Sequence, residues 1–281
     1  MMITGDTQVG LFYALLRNFI DRSGPPQLFI DFMLDRPQDN IFWRFGKRIQ
    51  GYIMSGIECT IVFSKGEIPA YSQALRLPPR KFYYLPYHTN ILEPALVTEH
   101  QGYIFSAGRS GRDYRTLLEA VRETEVPLII VSDRASLQGL FIPENVKVFY
   151  NVSYDRYLQL LYNAQIVAIP VQPDIRSLGM VVMLEAMAMG KPVITTKAVS
   201  NIEYIRDGEN GLFVESGNPK ELRRKIEYLR KHPNECLKLG RTALADVNKY
   251  WTFEKYVQSV LDIAYKMAEH RESEVRSQKS E

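Results

Sequence analysis

Residues 177 to 196, Ser-Leu-Gly-Met-Val-Val-Met-Leu-Glu-Ala-Met-Ala-Met-Gly-Lys-Pro-Val-Ile-Thr-Thr, leave this chain few ways to fold. Ser177-Leu178-Gly179 reads as a tight turn, with Ser177 as N-cap, that opens a helix from Gly179 to Met189. The helix is apolar almost all round, which makes it a core helix. Gly190 stops it, and Lys191-Pro192 leads into a buried-looking strand, Val193 to Thr196. The helix carries one charge, Glu185. A carboxylate in such surroundings is costly unless hydrogen-bond donors reach it.

The same strand–helix alternation runs through the chain. In the first third the spacing predicts helices over Val9 to Asp21, Asn40 to Ser55 and Ala70 to Leu75, and strands over Gln27 to Phe32, Cys59 to Ser64 and Lys81 to Leu85. A linker follows, Pro86 to Glu99. A second series then gives strands Tyr103 to Ala107, Pro127 to Ser132, Val146 to Tyr150, Gln165 to Val171, Pro192 to Thr196 and Gly211 to Val214. Its helices are Tyr114 to Thr124, Ser153 to Ala164 with Ser153 as N-cap, Gly179 to Met189, Pro219 to His232, Pro233 to Val247 and Phe253 to Ala268. From Glu269 onward the composition suits a frayed helix end or a disordered tail. Strands separated by helices imply an α/β fold with a parallel sheet covered on both faces. Such sheets bind ligands at the carboxyl ends of their strands.

Composition narrows the function classes. With 281 residues the chain can hold two domains. A net charge of +3 is too small to argue for nucleic acid. Two cysteines, Cys59 and Cys236, lie far apart without metal-type spacing, which suits a reducing compartment. No apolar run approaches the roughly 20 residues of a membrane helix. The N-terminus lacks the pattern of a secretory signal. The expected location is the cytoplasm. The helix Asn40 to Ser55, with aromatics and a basic face (Arg44, Lys47, Arg48), leaves a peripheral membrane contact open beside ordinary packing.

Four places carry chemistry. The amides at Ser177-Leu178-Gly179-Met180 open a helix and form an anion site, although any capped core helix starts this way. Glu185 suits two ribose hydroxyls, or neighbouring backbone amides. The loop Gly108-Arg109-Ser110-Gly111-Arg112, between a strand and a helix, places two arginines to grip a diphosphate, or leaves them solvated. Asn151-Val152 at a strand end can hold a base by backbone bonds, or be a plain turn. A dinucleotide-type Gly-x-Gly-x-x-Gly, a phosphate-loop Gly-Lys-Ser/Thr, a Gly-x-Ser-x-Gly elbow and a histidine metal cluster are all missing from the sequence.

The order of motifs resembles glycosyltransferase family 4, the retaining enzymes of GT-B architecture. The blocks are Phe105-Ser106-Ala107-Gly108-Arg109, Leu117-Leu118-Glu119-Ala120, Asn163 to Pro170, Leu184-Glu185-Ala186 to Pro192-Val193-Ile194, Ile202-Glu203-Tyr204-Ile205 and Asp207-Gly208-Glu209-Asn210-Gly211 to Val214. The resemblance covers roughly residues 80 to 262. It implies a complete C-terminal Rossmann-like, nucleotide-sugar-binding domain over 91–252. It also implies an incomplete N-terminal Rossmann-like acceptor domain over 1–90, whose opening strands are missing, and a cross-over helix with a polar tail over 253–281.

By the same resemblance Arg109 and Arg112 neutralise the donor diphosphate, with arginine at 112 where lysine is usual and a shortened loop between them. Glu185 binds the donor ribose. Gly179 and Met180 lie where backbone amides meet the distal phosphate, with Ser177 and Leu178 of the same loop also expected to bind the donor, and Asn151 and Val152 fall where the base is held. The donor is a UDP- or GDP-type sugar, the acceptor a saccharide or lipid-linked molecule, and neither metal nor cofactor is needed. Two departures stand out. Ser177, beside Arg176, replaces a second glutamate eight residues before the ribose one, at the sugar contact. Gly179 also sits one residue further from Glu185 than in the commonest pattern. The competing expectation is a non-catalytic nucleotide-sugar-binding module, or a truncated, inactive homologue completed by a partner chain. A phosphosugar epimerase of the same architecture is a remote third, since no acid–base pair can be placed for it.

Overall fold

The computed structural model describes residues 1–20, 24–36 and 38–279, with side chains to residue 269. It separates into two compact units, one formed by Met1–Tyr87 with Glu254–Glu281, the other by His88–Phe253.

In the first unit the described strands are β1 (Met2–Thr4), β2 (Gln27–Phe29), β3 (Cys59–Val62) and β4 (Phe82–Tyr84), paired in parallel in that order. β1 corrects the sequence reading, which placed no strand before the first helix. Three residues of mixed exposure carry no periodicity, so nothing local announces β1. Its partner β2 is buried throughout. Helices α1 (Thr7–Phe19), α2 (Ile41–Met54) and α3 (Glu67–Leu75) connect the strands. Asp6 and Asn40 cap α1 and α2 by accepting from the Val9 and Trp43 amides. Asp21, the expected end of the first helix, lies outside the described residues.

Most of the aromatics of helix α2 stay exposed, Trp43 alone being half-buried under Lys47. Phe42, Phe45, Ile49 and Tyr52 are exposed along one stripe, whereas Gly51, Met54 and Lys47 face inward. Lys47 is stabilised there by Asp35 (2.5 Å) and Gln50 (2.7 Å). The last helix, α9 (Phe253–Lys279), extends beyond the expected Ala268 into the polar tail, as far as Lys279. Its Tyr256, Val260 and Ala264 complete the core of Leu28, Ile61, Phe63 and Leu85.

The second unit has a six-stranded parallel sheet among the described residues. Its strands are β5 (Ile104–Ala107), β6 (Leu128–Ser132), β7 (Val146–Tyr150), β8 (Ile166–Ile169), β9 (Val193–Thr196) and β10 (Leu212–Val214), in the spatial order β10-β9-β8-β5-β6-β7. The central strands β5, β8 and β9 are buried at every residue, while the edge strands β7 and β10 are only partly buried. This is the burial expected when helices cover both faces of a parallel sheet. The helices are α4 (Tyr114–Val121), α5 (Tyr154–Tyr162), α6 (Met180–Ala188), α7 (Pro219–Lys231) and α8 (Pro233–Tyr250). One core runs from Ile104, Leu117 and Leu128 to Ile194, Leu222 and Leu239.

Helix α6 buries all of its residues except Val181, as its composition requires. Each large apolar side chain there contributes roughly 1.5–3 kcal/mol.

Lys191, just past α6, is 2% exposed. Its ammonium donates to the Glu99 carbonyl (3.0 Å) and lies over the Tyr162 ring. Burial lowers its pKa from 10.5 to about 8, with the Glu99 carboxylate opposing the shift. Between these values the unfolded chain holds a proton that the folded chain has released. Folding stability therefore rises with pH from about 8 to 10.5, and the penalty is full below about 8. Lys191→Met is expected to stabilise the protein at pH 7 by about 1–3 kcal/mol and to flatten that rise. Urea denaturation of both proteins at pH 7 and pH 9.5 checks it.

Candidate functional site

Strand order reverses between β5 and β8. From β5 the sheet grows through β6 to β7, and from β8 through β9 to β10. The carboxyl ends at such a switch point diverge and leave a crevice for a ligand. The loops that meet there are 108–113, after β5, and 170–179, after β8.

Backbone bonds lock these loops together. The Asp113 amide donates to the Pro170 carbonyl (2.9 Å) and the Gln172 amide to the Gly111 carbonyl (2.8 Å). Arg112 and Val171 form an isolated antiparallel bridge. The second loop is further pinned to β9, where the Val171 amide donates to Thr196 Oγ1 (3.0 Å) and Ser200 Oγ to the Leu178 carbonyl (3.3 Å). Within it, Arg176 clasps Asp174 with Nε to Oδ1 at 2.8 Å and Nη2 to Oδ2 at 2.6 Å. Burial of Asp174 works against ionisation, but the Arg176 bonds outweigh it and hold the carboxyl below its usual range.

The residue before α6 is Gly179, in the left-handed region at φ +85°. A side chain is strained there. Gly179, not Ser177, is the N-cap, and no side chain caps the helix. This corrects the expected role of Ser177, which is buried two residues earlier. No side chain accepts from the first amides of α6, and a helix start of this kind is a favourable place for an anion.

Arg112 belongs to this end of the helix. A Cβ on Gly179 would lie 3.6 Å from Arg112 Nη1. Arg112 Nε donates to the Ala107 carbonyl (2.7 Å) and Nη1 to the Ser110 carbonyl (3.1 Å), so the side chain folds back under its own loop. Gly108, at φ +118°, makes room, because a Cβ there would collide with the guanidinium. Burial lowers the Arg112 pKa from its ordinary value, opposed by Tyr114 and Tyr157. Arg109 is placed differently. It is exposed and its carbonyl accepts from Ser136 Oγ (3.0 Å); nearby, hydrogen bonds from Ser136 hold the Asp133 carboxyl below its usual range, with the Arg109 charge a smaller contribution. The two arginines differ in setting: Arg112 is held by its own loop near the α6 terminus, and Arg109 is exposed near the turn after β6.

Glu185 is fully buried. Six residues at 1.5 Å per residue place it about 9 Å along the helix from Gly179. Its Oε1 accepts from Asn90 Nδ2 (3.1 Å) and from the Tyr154 hydroxyl (2.8 Å), and its Oε2 from the Tyr157 hydroxyl (2.5 Å). Side chains, not the backbone amides considered from sequence, answer its demand for donors. Burial first, then the Glu185 charge and its hydrogen bond, raise the pKa of both tyrosines. Phe105 of β5 and Tyr154 flank the Tyr157 ring, at 5.7 and 5.8 Å between centroids.

Sequence reasoning missed Tyr154, Tyr157 and Asn90. The tyrosines carry a signal: they stand three apart at the start of a helix capped by Ser153, so they share one face. Asn90 carries none, since its partner is 95 residues away. Asn151 and Val152 lie at the end of β7, where Asn151 adopts φ +51°, immediately before α5. Among the described residues no group of three or more His, Cys, Asp or Glu is placed to hold a metal ion. No described helix is long and apolar enough to cross a membrane.

The model for glycosyl transferases group 1 matches residues 96–246. An uncharacterized glycosyltransferase, MJ1178, of Methanocaldococcus jannaschii is 26% identical over 150 residues, 51% of this chain and 42% of that protein. The D-rhamnosyltransferase WbpZ of Pseudomonas aeruginosa is 27% identical over 146 residues, 48% of this chain and 37% of that protein. These matches therefore span less than half the length of either relative. Among solved structures, Anabaena Alr3699/HepE in complex with UDP-glucose superposes with a TM-score of 0.77 at 18% identity, over 94% of this chain and 78% of that one. Sucrose-phosphate synthase from Thermosynechococcus elongatus gives 0.75 at 18% identity, over 95% and 73%. The fold is that of the GT-B glycosyltransferases, and the chain belongs to the glycosyl transferases group 1 family.

Proposed function

We propose that this chain carries the donor side of a retaining family 4 glycosyltransferase, which takes a sugar from a nucleoside diphosphate, UDP before GDP, without a metal ion. The observation that carries the reading is the junction of the 108–113 and 170–179 loops. There an uncapped helix terminus, a left-handed glycine and the Arg112 guanidinium meet at the switch point. In this reading the distal phosphate lies on the Gly179 and Met180 amides beside Leu178, the ribose reaches Glu185, and the base lies at Asn151-Val152. The UDP-glucose held by the HepE structure supports a uridine donor.

As the glycosidic bond to the diphosphate breaks, negative charge grows on the leaving group. Fixed amide dipoles and Arg112 stabilise it without reorganising, and Arg109 adds a second positive charge from the solvent side. The exposed aromatic stripe of α2, with exposed Arg44 and Arg48 alongside, supports a saccharide or lipid-linked acceptor on the first unit, and a peripheral contact with a membrane surface.

A second reading, donor binding without transfer, is favoured by Ser177, which stands where a second glutamate is expected at the sugar contact. Turnover separates the two. The enzyme reading expects release of UDP from at least one sugar in a panel of UDP-sugars, with Arg109→Ala cutting that rate by about tenfold more than it weakens UDP binding. Tight binding across the panel with no release from the wild-type protein would establish the binding module instead.

A further inference from the structure

Glu185 is already almost saturated with donors. A carboxylate offers about four acceptor positions, two on each oxygen. Asn90 and Tyr154 fill those of Oε1, and Tyr157 takes one of the two on Oε2. A ribose presents two adjacent hydroxyls and needs two positions, so one resident donor has to leave.

The three donors are not equally free to go. Tyr157 is 9% exposed, makes the shortest bond and packs on Phe105, so its departure would open the core. Tyr154 is 49% exposed and is the first residue of α5. Its ring lies on Tyr157 with 20° between the planes, on the helix that leaves the Asn151-Val152 loop. Rotation about its side-chain bonds carries ring and hydroxyl together off Glu185 into solvent, at the cost only of the stacking on Tyr157. Asn90 is exposed as well and makes the longest bond of the three, so it is the rival for this role; Tyr154 stands nearer the Asn151-Val152 loop, on the helix that leaves it.

We propose that Tyr154 is an exchangeable plug: in the unliganded protein its hydroxyl occupies the place on Glu185 that a nucleotide ribose hydroxyl takes, and it yields that place on binding. The proposal rests on the reading that Glu185 receives the ribose. It follows that the protein opposes its own nucleotide with a tethered competitor, and that a hydroxyl is exchanged for a hydroxyl. The carboxylate is never left buried and unsatisfied, a state that would be costly.

Titration calorimetry with UDP tests this on the full chain and on Tyr154→Phe, which keeps the ring and deletes the competitor. The expected result is about three- to tenfold tighter UDP binding by the variant. With 2′-deoxy-UDP the gain should vanish, because a single ribose hydroxyl fits the open position on Oε2. Unchanged or weaker UDP binding by Tyr154→Phe overturns the proposal. So does an equal gain for the deoxy nucleotide, or a gain seen with Asn90→Ala and not with Tyr154→Phe. Failure of the wild-type protein to bind UDP at all would remove the nucleotide reading and the plug with it. UDP binding without the Tyr154→Phe gain removes the plug alone.

Discussion

Glu185→Ala is expected to destabilise the second unit by about 2–4 kcal/mol, because it removes the shared acceptor of three side chains. The cost is concentrated at Tyr157. Tyr154 and Asn90 are exposed and can turn to water, whereas the Tyr157 hydroxyl is left buried without its acceptor. Truncation also leaves a small cavity in the most buried helix of the unit. For a unit of this size the loss corresponds to a fall in Tm of roughly 5–15 °C. Glu185→Gln, which keeps the volume and one acceptor oxygen, is expected to lose less than half as much. Calorimetric melting of the three proteins checks it. A Glu185→Ala protein that melts with the wild type would mean that the carboxylate does not hold α5 to α6. UDP affinity in these variants is interpretable only at temperatures where they remain folded.

Arg112→Ala is expected to lower the rate of UDP release from a UDP-sugar by about 10²–10³-fold, and UDP affinity by about tenfold. The difference arises because the guanidinium is fixed where charge develops. Its two loop carbonyls hold it in place before substrate arrives. Arg112→Lys restores the charge but cannot reach both the Ala107 and Ser110 carbonyls, so it should recover only part of the rate. Turnover within threefold of wild type in a folded Arg112→Ala protein would take Arg112 out of the mechanism. A rate loss matched by an equal loss of UDP affinity would assign it to binding alone.

The sequence made the second unit more legible than the first, for reasons visible in particular residues. The strand from Val193 and the helix from Met180 were readable because both are buried on all sides, and their composition says so. β1 was not, because three residues gain strand character only from pairing with β2. The α6 N-cap was misassigned because Ser177 has the chemistry of a cap. The chain instead turns at Gly179, whose φ the sequence does not display. Arg109 and Arg112 stood out as a pair, but three residues in a loop do not fix a common direction, and the backbone bridge to Val171 turns only Arg112 inward. The need for donors at Glu185 followed from an isolated charge in an apolar helix. Their identity depended on packing between α5 and α6 that no local pattern encodes.

A crystal structure of this chain with UDP bound decides whether the nucleotide sits at the α6 terminus. The β-phosphate is expected within hydrogen-bond distance of the Gly179 or Met180 amide, beside the Arg112 guanidinium, with the ribose hydroxyls on Glu185. A nucleotide bound away from the α6 terminus, or one whose ribose leaves Glu185 untouched with Tyr154 and Asn90 still in place, would contradict this placement.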